Sequence, residues 1–432
     1  MRSHSLPGRS RPAPAAGLRL VLAGVLACLL LSGCARRAAR QHLGGTDATL
    51  PTGTRVAAST AREVPFRLVD DQIVVSVRIN GRVDVEMVLD TGFGSQGAVL
   101  LDPEIGRDLG LEYVQSLDLG GGGAGARNTA HVAVGASLEL VGVAFPRQPL
   151  LVLDDGGSHA HWLAKGIIGA TVMAHPVEID YETKVLRIFG PGSEPLGERG
   201  EPFELTFVQG IPAARAVVVT EAGQEVPVEL LVDTGANDAL LLRPGTNPRL
   251  AAPERVITGV SGILGEGLAG GMRGSVGRLH ELRLGRFSFH EVVTVFIDET
   301  TMGTASSLAG DGLLGSEVLE RFTVLFDYAG KRMFLKPNAR YERGFEFDMA
   351  GLVLQARGDG AFTVLDVIRE SPAARAGVRG GDVLVGLDGR DVRTLTSEVV
   401  LSELKRPGRE VEITVEREGA RSTHTVRLAR LI

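Results

Sequence analysis

From residue 65 onward, apolar and polar positions alternate with a period of two, the pattern of strands buried on one face. Val75, Val77 and Ile79 alternate with Ser76 and Arg78, and after Asn80-Gly81 the alternation resumes in Arg82-Val83-Asp84-Val85-Glu86-Met87. Asn-Gly between two such runs predicts a hairpin, because both central turn positions need positive φ. The second strand runs directly into Leu89-Asp90-Thr91-Gly92. The pattern then returns. Ala216 to Val219, a turn at Ala222-Gly223, and Val226 to Val232 lead into Asp233-Thr234-Gly235, and the two triplets lie 143 positions apart. Gly166-Ile167-Ile168-Gly169 is answered 146 positions later by Gly312-Leu313-Leu314-Gly315, and Asp180-Tyr181 is answered 147 later by Asp327-Tyr328. Three landmarks in one order, with an offset drifting by only four, predict two copies of a β lobe at residues 65–195 and 196–340. Each copy is long enough for a small core of its own.

The chain before the lobes has a different texture. Arg2, Arg9, Arg11 and Arg19 precede an uncharged run from Leu20 to Leu31. As a helix that run would span about 18 Å, well short of a bilayer's hydrocarbon core, so it reads as the middle of an export signal over residues 1–33. Residues 34–64 are rich in Ala, Arg, Thr and Gly without apolar periodicity and read as a flexible tether. Leu31-Ser32-Gly33-Cys34 resembles the lipobox of bacterial lipoproteins. That resemblance implies cleavage before Cys34, lipidation of its thiol and a bacterial cell-envelope protein held on a membrane, facing the periplasm or the exterior. Cys28 would leave with the signal, so the mature chain would hold no disulfide.

Composition narrows the partners. The 432 residues include 57 glycines, but these follow no three-residue period, which excludes a collagen-like rod. The net charge is −6, and because the leader holds four arginines and no acid, the remainder carries −10. Together with only 5% aromatic residues, this is the wrong surface for nucleic acid.

An Asp-Thr-Gly triplet after an apolar strand, followed some 75–80 residues later by two apolar residues and Gly, resembles a lobe of an aspartic protease. The stretch from Leu313 to Asp327 resembles the second lobe of pepsin-like enzymes, whereas Ala236-Asn237-Asp238 after the second triplet is closer to the retropepsin branch. The resemblance covers about residues 66–338. It implies a mainly β, bilobed acid-protease fold, complete within one chain and working as a monomer, which hydrolyses protein or peptide substrates with no metal or organic cofactor. Two carboxylates held within about 3 Å cannot both ionise and so share a proton. The ionised partner draws a proton from water while the protonated one hydrogen-bonds the scissile carbonyl. Asp90 and Asp233 are the expected dyad. By the same resemblance, Thr91 and Thr234 hydrogen-bond across the two-fold axis. Gly92 and Gly235 permit close backbone approach, and the apolar pairs Ile167-Ile168 and Leu313-Leu314 pack beneath. Pepsin-like lobes carry Ser or Thr after the triplet; here Phe93 and Ala236 stand there, which makes Ser95 a candidate to support the outer oxygen of Asp90. The Gly-rich stretches 120–125 and 259–277 occupy the places of flap hairpins over substrate.

Two other motifs compete. Gly92-Phe93-Gly94-Ser95-Gln96-Gly97 matches a dinucleotide fingerprint, but the surrounding hairpins lack the alternating strands and long helices that such a site requires. Asp154, Asp155, His159 and His161 fit neither a helix face nor a zinc spacing and read as a polar loop.

Residues 345–432 form a further unit. Ser371-Pro372-Ala373-Ala374-Arg375-Ala376-Gly377 predicts a short helix closing in Gly, followed by Gly380-Gly381-Asp382-Val383-Leu384-Val385-Gly386-Leu387-Asp388-Gly389-Arg390. This resembles bacterial PDZ domains, such as those appended to periplasmic trypsin-like proteases. The resemblance places Met349-Ala350-Gly351-Leu352 at the carboxylate-binding loop and a helix near Leu395 to Leu404 beside a groove for the C-termini of peptides. The other reading the sequence supports is a non-catalytic, peptide-binding lipoprotein whose working part is the PDZ domain.

Overall fold

The computed structural model describes residues 61–69, 71–119, 128–154, 164–190, 199–258, 266–267, 270–271, 273–301 and 310–432. The leader with Cys28 and Cys34, most of the tether, Gly120–Gly125 and much of 259–272 lie outside the described residues, as do Asp155, His159 and His161.

The repeat read from the sequence is a repeat of structure, for each copy builds an eight-stranded sheet with the same strand order. In lobe 1 the order is Arg67–Val69, Gln72–Ile79, Val83–Leu89, Gly166–Ile168, Ala98–Leu100, Val143–Asp154, Asn128–Leu140, Tyr113–Leu119. In lobe 2 it is Thr206–Val208, Ile211–Val219, Glu225–Val232, Gly312–Leu314, Leu240–Leu242, Phe287–Ile297, Gly274–Leu284, Val256–Thr258. Within each lobe the second strand also pairs with the seventh, which curls the sheet back on itself. The first hairpin turns at Asn80 (φ 50°) and Gly81 (φ 64°), both left-handed. Ile73, Val75, Val77 and Ile79 enter the core while Ser76 and Arg78 face outward, so the period-two pattern is satisfied side chain by side chain.

The copies do not fold as separate bodies. A six-stranded sheet runs Arg62–Pro65, Val185–Ile188, Val177–Asp180, Phe322–Asp327, Arg332–Pro337, Glu201–Glu204, three strands from the first half of the chain followed by three from the second. Val177 lies opposite Phe326 and Ile179 opposite Val324, so one apolar core crosses the boundary at residue 195. Residues 62–64, which composition assigns to the tether, belong to this sheet: Val64 is buried opposite Leu186. A single inward-facing Val among polar neighbours in a four-residue edge strand is too little periodicity to read.

After lobe 2 the buried guanidinium of Arg321 donates to the carbonyls of Arg340 (3.2 Å), Arg343 and Gly344 (3.4 Å) and lies 3.8 Å from the Phe345 ring centre. This pins the connection to the final unit. That unit orders its strands Leu352–Ala356, Phe362–Val367, Val383–Leu387, Glu410–Arg417, Ala420–Arg427. The helix Pro372–Ala376 starts at Ser371, whose hydroxyl accepts the Ala374 amide, and stops at Gly377 (φ 94°). The helix Ser397–Glu403 is capped by Thr396.

Candidate active site

Each triplet sits at the end of a strand that runs parallel to the two-apolar-and-Gly strand of its own lobe. Val88 pairs with Ile167 and Leu89 with Ile168; Leu231 pairs with Leu313 and Val232 with Leu314. The ladder continues one residue further, as the Asp90 amide donates to the Ile168 carbonyl (2.9 Å) and the Asp233 amide to that of Leu314 (3.0 Å). The aspartates are thus fixed through their own backbones, in equivalent positions, on facing loops.

The threonines tie the loops together. The Thr91 hydroxyl accepts the Thr234 amide (2.9 Å) and donates to the Val232 carbonyl (2.7 Å). Reciprocally, the Thr234 hydroxyl accepts the Thr91 amide (3.1 Å) and donates to the Leu89 carbonyl (2.7 Å). Four buried bonds related by a pseudo-two-fold axis bring together side chains 143 residues apart. The glycines are required sterically: a Cβ on Gly92 would stand 2.6 Å from Asp233 Oδ2, and one on Gly235 would stand 2.5 Å from Asp90 Cγ. Gly169 and Gly315 are equally confined, with carbonyl oxygens 2.2 Å and 2.0 Å from where a Cβ would be.

The Asp90 and Asp233 side chains face each other across the pseudo-two-fold axis, each beside the glycine of the opposite triplet, and both residues are fully buried. Asp90 Oδ1 accepts the Phe93 amide (3.0 Å) and Asp233 Oδ1 the Gly235 amide (2.8 Å); Oδ2 of each receives no donor from another group. Burial pushes Asp90 well above the usual carboxylate range, and the adjacent Asp233 charge adds to this. Burial also raises Asp233, against the pull of the surrounding amides. Two buried carboxyl groups this close titrate as a unit rather than independently. The Asp90 carboxylate is supported by the Phe93 amide, and the Ser95 hydroxyl is not among its hydrogen-bond donors. Phe93 itself is buried, so an apolar residue suits a place where only its backbone is used.

Sequence reasoning missed two supporting side chains. Gln72 Nε2, fully buried, crosses between lobes to donate to the Gly235 carbonyl (2.5 Å). The Ser316 hydroxyl donates to the Thr234 carbonyl (2.9 Å). A signal for Gln72 did exist, since a polar residue at the head of a strand pattern occupies a place where lobe 2 has Ile211. Among the described residues, no group of three or more His, Cys, Asp or Glu gathers as a metal site.

The aspartyl protease family model matches the chain twice, at residues 75–172 and 217–318, and the PDZ domain model matches residues 344–428. The chain carries a retropepsin-like aspartyl protease domain, formed by both lobes, and a PDZ domain. It is therefore of protease type. Comparison with curated proteins finds no match. Among solved structures, the photosystem II D1 C-terminal processing protease is 25% identical over 22% of this chain and 26% of its own, with a TM-score of 0.19. An aminopeptidase N family protein from Idiomarina loihiensis is 23% identical over 21% of this chain and 15% of its own, with a TM-score of 0.18. The chain thus spans about a quarter of the first and less than a sixth of the second.

The PDZ domain uses its Met349–Leu352 loop internally. The Asp348 carboxylate accepts the amides of Gly351 (2.5 Å) and Leu352 (2.8 Å), with the Ala350 amide also directed at it. The Met349 amide donates to the Leu404 carbonyl (3.0 Å). These loop amides are therefore occupied by a carboxylate of the same chain. Burial pushes Asp348 up to about 6.

Proposed function

We propose that this protein is an aspartic endopeptidase in which Asp90 and Asp233 share one proton and activate a water molecule. The observation that carries the reading is the pair of buried, facing carboxyl groups, each backed by a backbone amide and locked by the Thr91–Thr234 exchange. In the reaction the ionised carboxylate takes a proton from water as its oxygen attacks the scissile carbonyl carbon, and the protonated partner donates to the carbonyl oxygen. Proton return to the amine nitrogen breaks the C–N bond and leaves the dyad with a single proton again. Pre-aligned, dry carboxyl groups contribute through orientation and local electrostatics. The Leu31–Cys34 motif supports lipid attachment at Cys34 and a place in the bacterial cell envelope, and loss of membrane fractionation in Cys34→Ser tests this part.

The central test is hydrolysis of a quenched fluorescent peptide library. Asp90→Asn and Asp233→Asn are each expected to lower kcat/KM by at least 1,000-fold, on the order of removing a general base and its positioned water. Undiminished cleavage in either variant refutes the mechanism. Activity should be bell-shaped in pH, falling on the acid side as the second carboxyl group protonates and on the alkaline side as the shared proton is lost. Because both groups are raised, the alkaline limb should lie above the ordinary carboxylate range.

A further inference from the structure

Beyond the threonine exchange, the Asp233 loop is held from three sides. The turn that opens the strand Gln72–Ile79 sends Gln72 to the Gly235 carbonyl (2.5 Å). At the start of the helix Ser316–Leu319, the Ser316 hydroxyl donates to the Thr234 carbonyl (2.9 Å) and its amide to that of Ala236 (2.7 Å). The loop itself closes on Gly315, where a Cβ would stand 2.0 Å from the Asp238 carbonyl oxygen. Each support carries an acid beside its working residue. Asp71 adjoins Gln72, Glu317 adjoins Ser316, and Asp238 lies three residues beyond Gly235. The matching places around the Asp90 loop are Gly210, Thr171 and Ser95, which bear no charge.

The PDZ domain brings a cation to these acids. Its helix Ser397–Glu403 packs against the strand Arg67–Val69 of lobe 1, and Glu398 meets Lys184 (3.5 Å) and Arg340 (3.8 Å). Just past that helix the Leu404 carbonyl accepts the Met349 amide (3.0 Å), which brings residues 404–405 alongside 348–349. The Lys405 ammonium lies within electrostatic reach of Glu317, Asp71, Asp348, Glu320 and Asp238, acids of both lobes and of its own domain. None of the six is exposed. The other cations at the joint have partners of their own. Arg321 holds the carbonyls of residues 340, 343 and 344 and meets Glu317 at 3.9 Å; Arg340 pairs with Glu320, and Arg278 with Glu346 (3.2 Å). Burial raises all five acids, to about 7 at Asp238 and Glu320, and Lys405 opposes the rise at Asp71, Asp238, Glu317 and Asp348.

Acids crowded together without a cation repel one another once ionised, and here they ride on separate supports of one loop. We propose that Lys405 is a positioning residue for Asp233: the docked PDZ domain sets its ammonium among these acids and so holds the three supports together around the second catalytic loop. The dependence is one-sided, since the supports of the Asp90 loop carry no such charges. It also grows with pH, as more of the acids ionise. The inference rests on the peptidase reading above and adds a positioning residue, supplied by the PDZ domain, to that site.

The test uses the full chain with Lys405→Met, Lys405→Arg and the double variant Lys405→Met with Glu317→Gln, which also serves should Lys405→Met fail to fold. One readout is hydrolysis of the fluorescent peptide library across pH. The other, independent of catalysis, is amide hydrogen exchange at residues 235–239 and 315–317 against the matching 92–96 and 169–171. Lys405→Met is expected to lower kcat about tenfold near pH 7 with KM little changed. The deficit should shrink toward about pH 5, as the acids take up protons. Exchange should quicken about tenfold around Asp233 and stay at the wild-type rate around Asp90. Lys405→Arg should restore both readouts, and the added Glu317→Gln should recover part of each loss. Wild-type kcat and exchange in Lys405→Met would overturn the proposal. So would exchange raised equally around both aspartates, or a kcat deficit that is the same at every pH, either being the mark of a merely structural role. Exchange raised around Asp233 alone, with no hydrolysis by the wild type, would support the positioning and overturn the peptidase reading beneath it.

Discussion

Lobe 1 and lobe 2 share a skeleton and differ in what leans on it. Both end a strand in Asp-Thr-Gly, both hold the aspartate amide against the apolar-Gly strand, and each donates two threonine bonds to the other. Around this frame the halves diverge. Lobe 1 has Gln72 where lobe 2 has Ile211, and Ala170 where lobe 2 has Ser316. Asp90 is backed by the amide three residues on and Asp233 by the amide two residues on. The symmetric part is what a shared proton requires, since the two carboxyl groups must be nearly equivalent for either to hold it. The asymmetric part decides what else touches each half: lobe 2 shares an apolar cluster with the PDZ domain, whereas lobe 1 meets it through the Lys184–Glu398 ion pair (3.5 Å).

The comparison breaks most severely at the glycines. Gly235→Ala puts a methyl group against Asp90, and Gly92→Ala puts one against Asp233. Each is expected to reduce peptide hydrolysis by at least 100-fold, because a shift of about 1 Å at the reacting groups has that effect. A large loss in only one of the two would show that the halves are not interchangeable. At the threonines the expectation is equality. Thr91→Val and Thr234→Val each leave a buried amide and a buried carbonyl unpaired, at about 1–3 kcal/mol per group. Urea unfolding should show two similar losses of about 2–5 kcal/mol.

The pair Gln72 and Ile211 should separate the lobes instead. Gln72→Leu strands the Gly235 carbonyl and is expected to cost about 1–3 kcal/mol with reduced kcat. Ile211→Val trims one methylene from the apolar cluster that lobe 2 shares with the PDZ domain, at about 0.5–1.5 kcal/mol, with the dyad untouched. Equal kinetic effects would remove the distinction between a loop support and an apolar packing residue.

The smallest effect concerns acids around the joint between the lobes and the PDZ domain. Burial pushes Asp238 and Glu320 up to about 7 and Asp348 up to about 6. Between about pH 4 and 7 the folded protein therefore holds protons that the unfolded chain releases, and stability falls as pH rises through that window. Thermal unfolding should occur several degrees higher at pH 5 than at pH 8. Glu320→Gln should flatten the difference, and an unchanged slope would remove Glu320 from the account.

Much of this arrangement was legible along the chain. Alternation, the Asn80-Gly81 turn and the recurring triplets are local patterns, and local patterns survive in a linear reading. Gly315 and Gly169 announced tight packing by type. What escaped was contact between distant residues whose own neighbourhoods are unremarkable. The strand Arg62–Pro65 carries one inward Val, Gln72 finds its partner 163 positions away, and Asp348 turns on a loop whose resemblance suggests an outside ligand.

The order of residues alone determined two β lobes, their duplicated chemistry and the separate unit that follows, because hydrophobic periodicity and turn residues act over a few positions. Only the tertiary structure decided that the two carboxyl groups face each other, that the Phe93 amide backs Asp90, and that PDZ side chains join an apolar cluster of lobe 2. Those outcomes depend on which surfaces are pressed together once water is expelled, and an apolar residue carries no mark of the partner it will bury against.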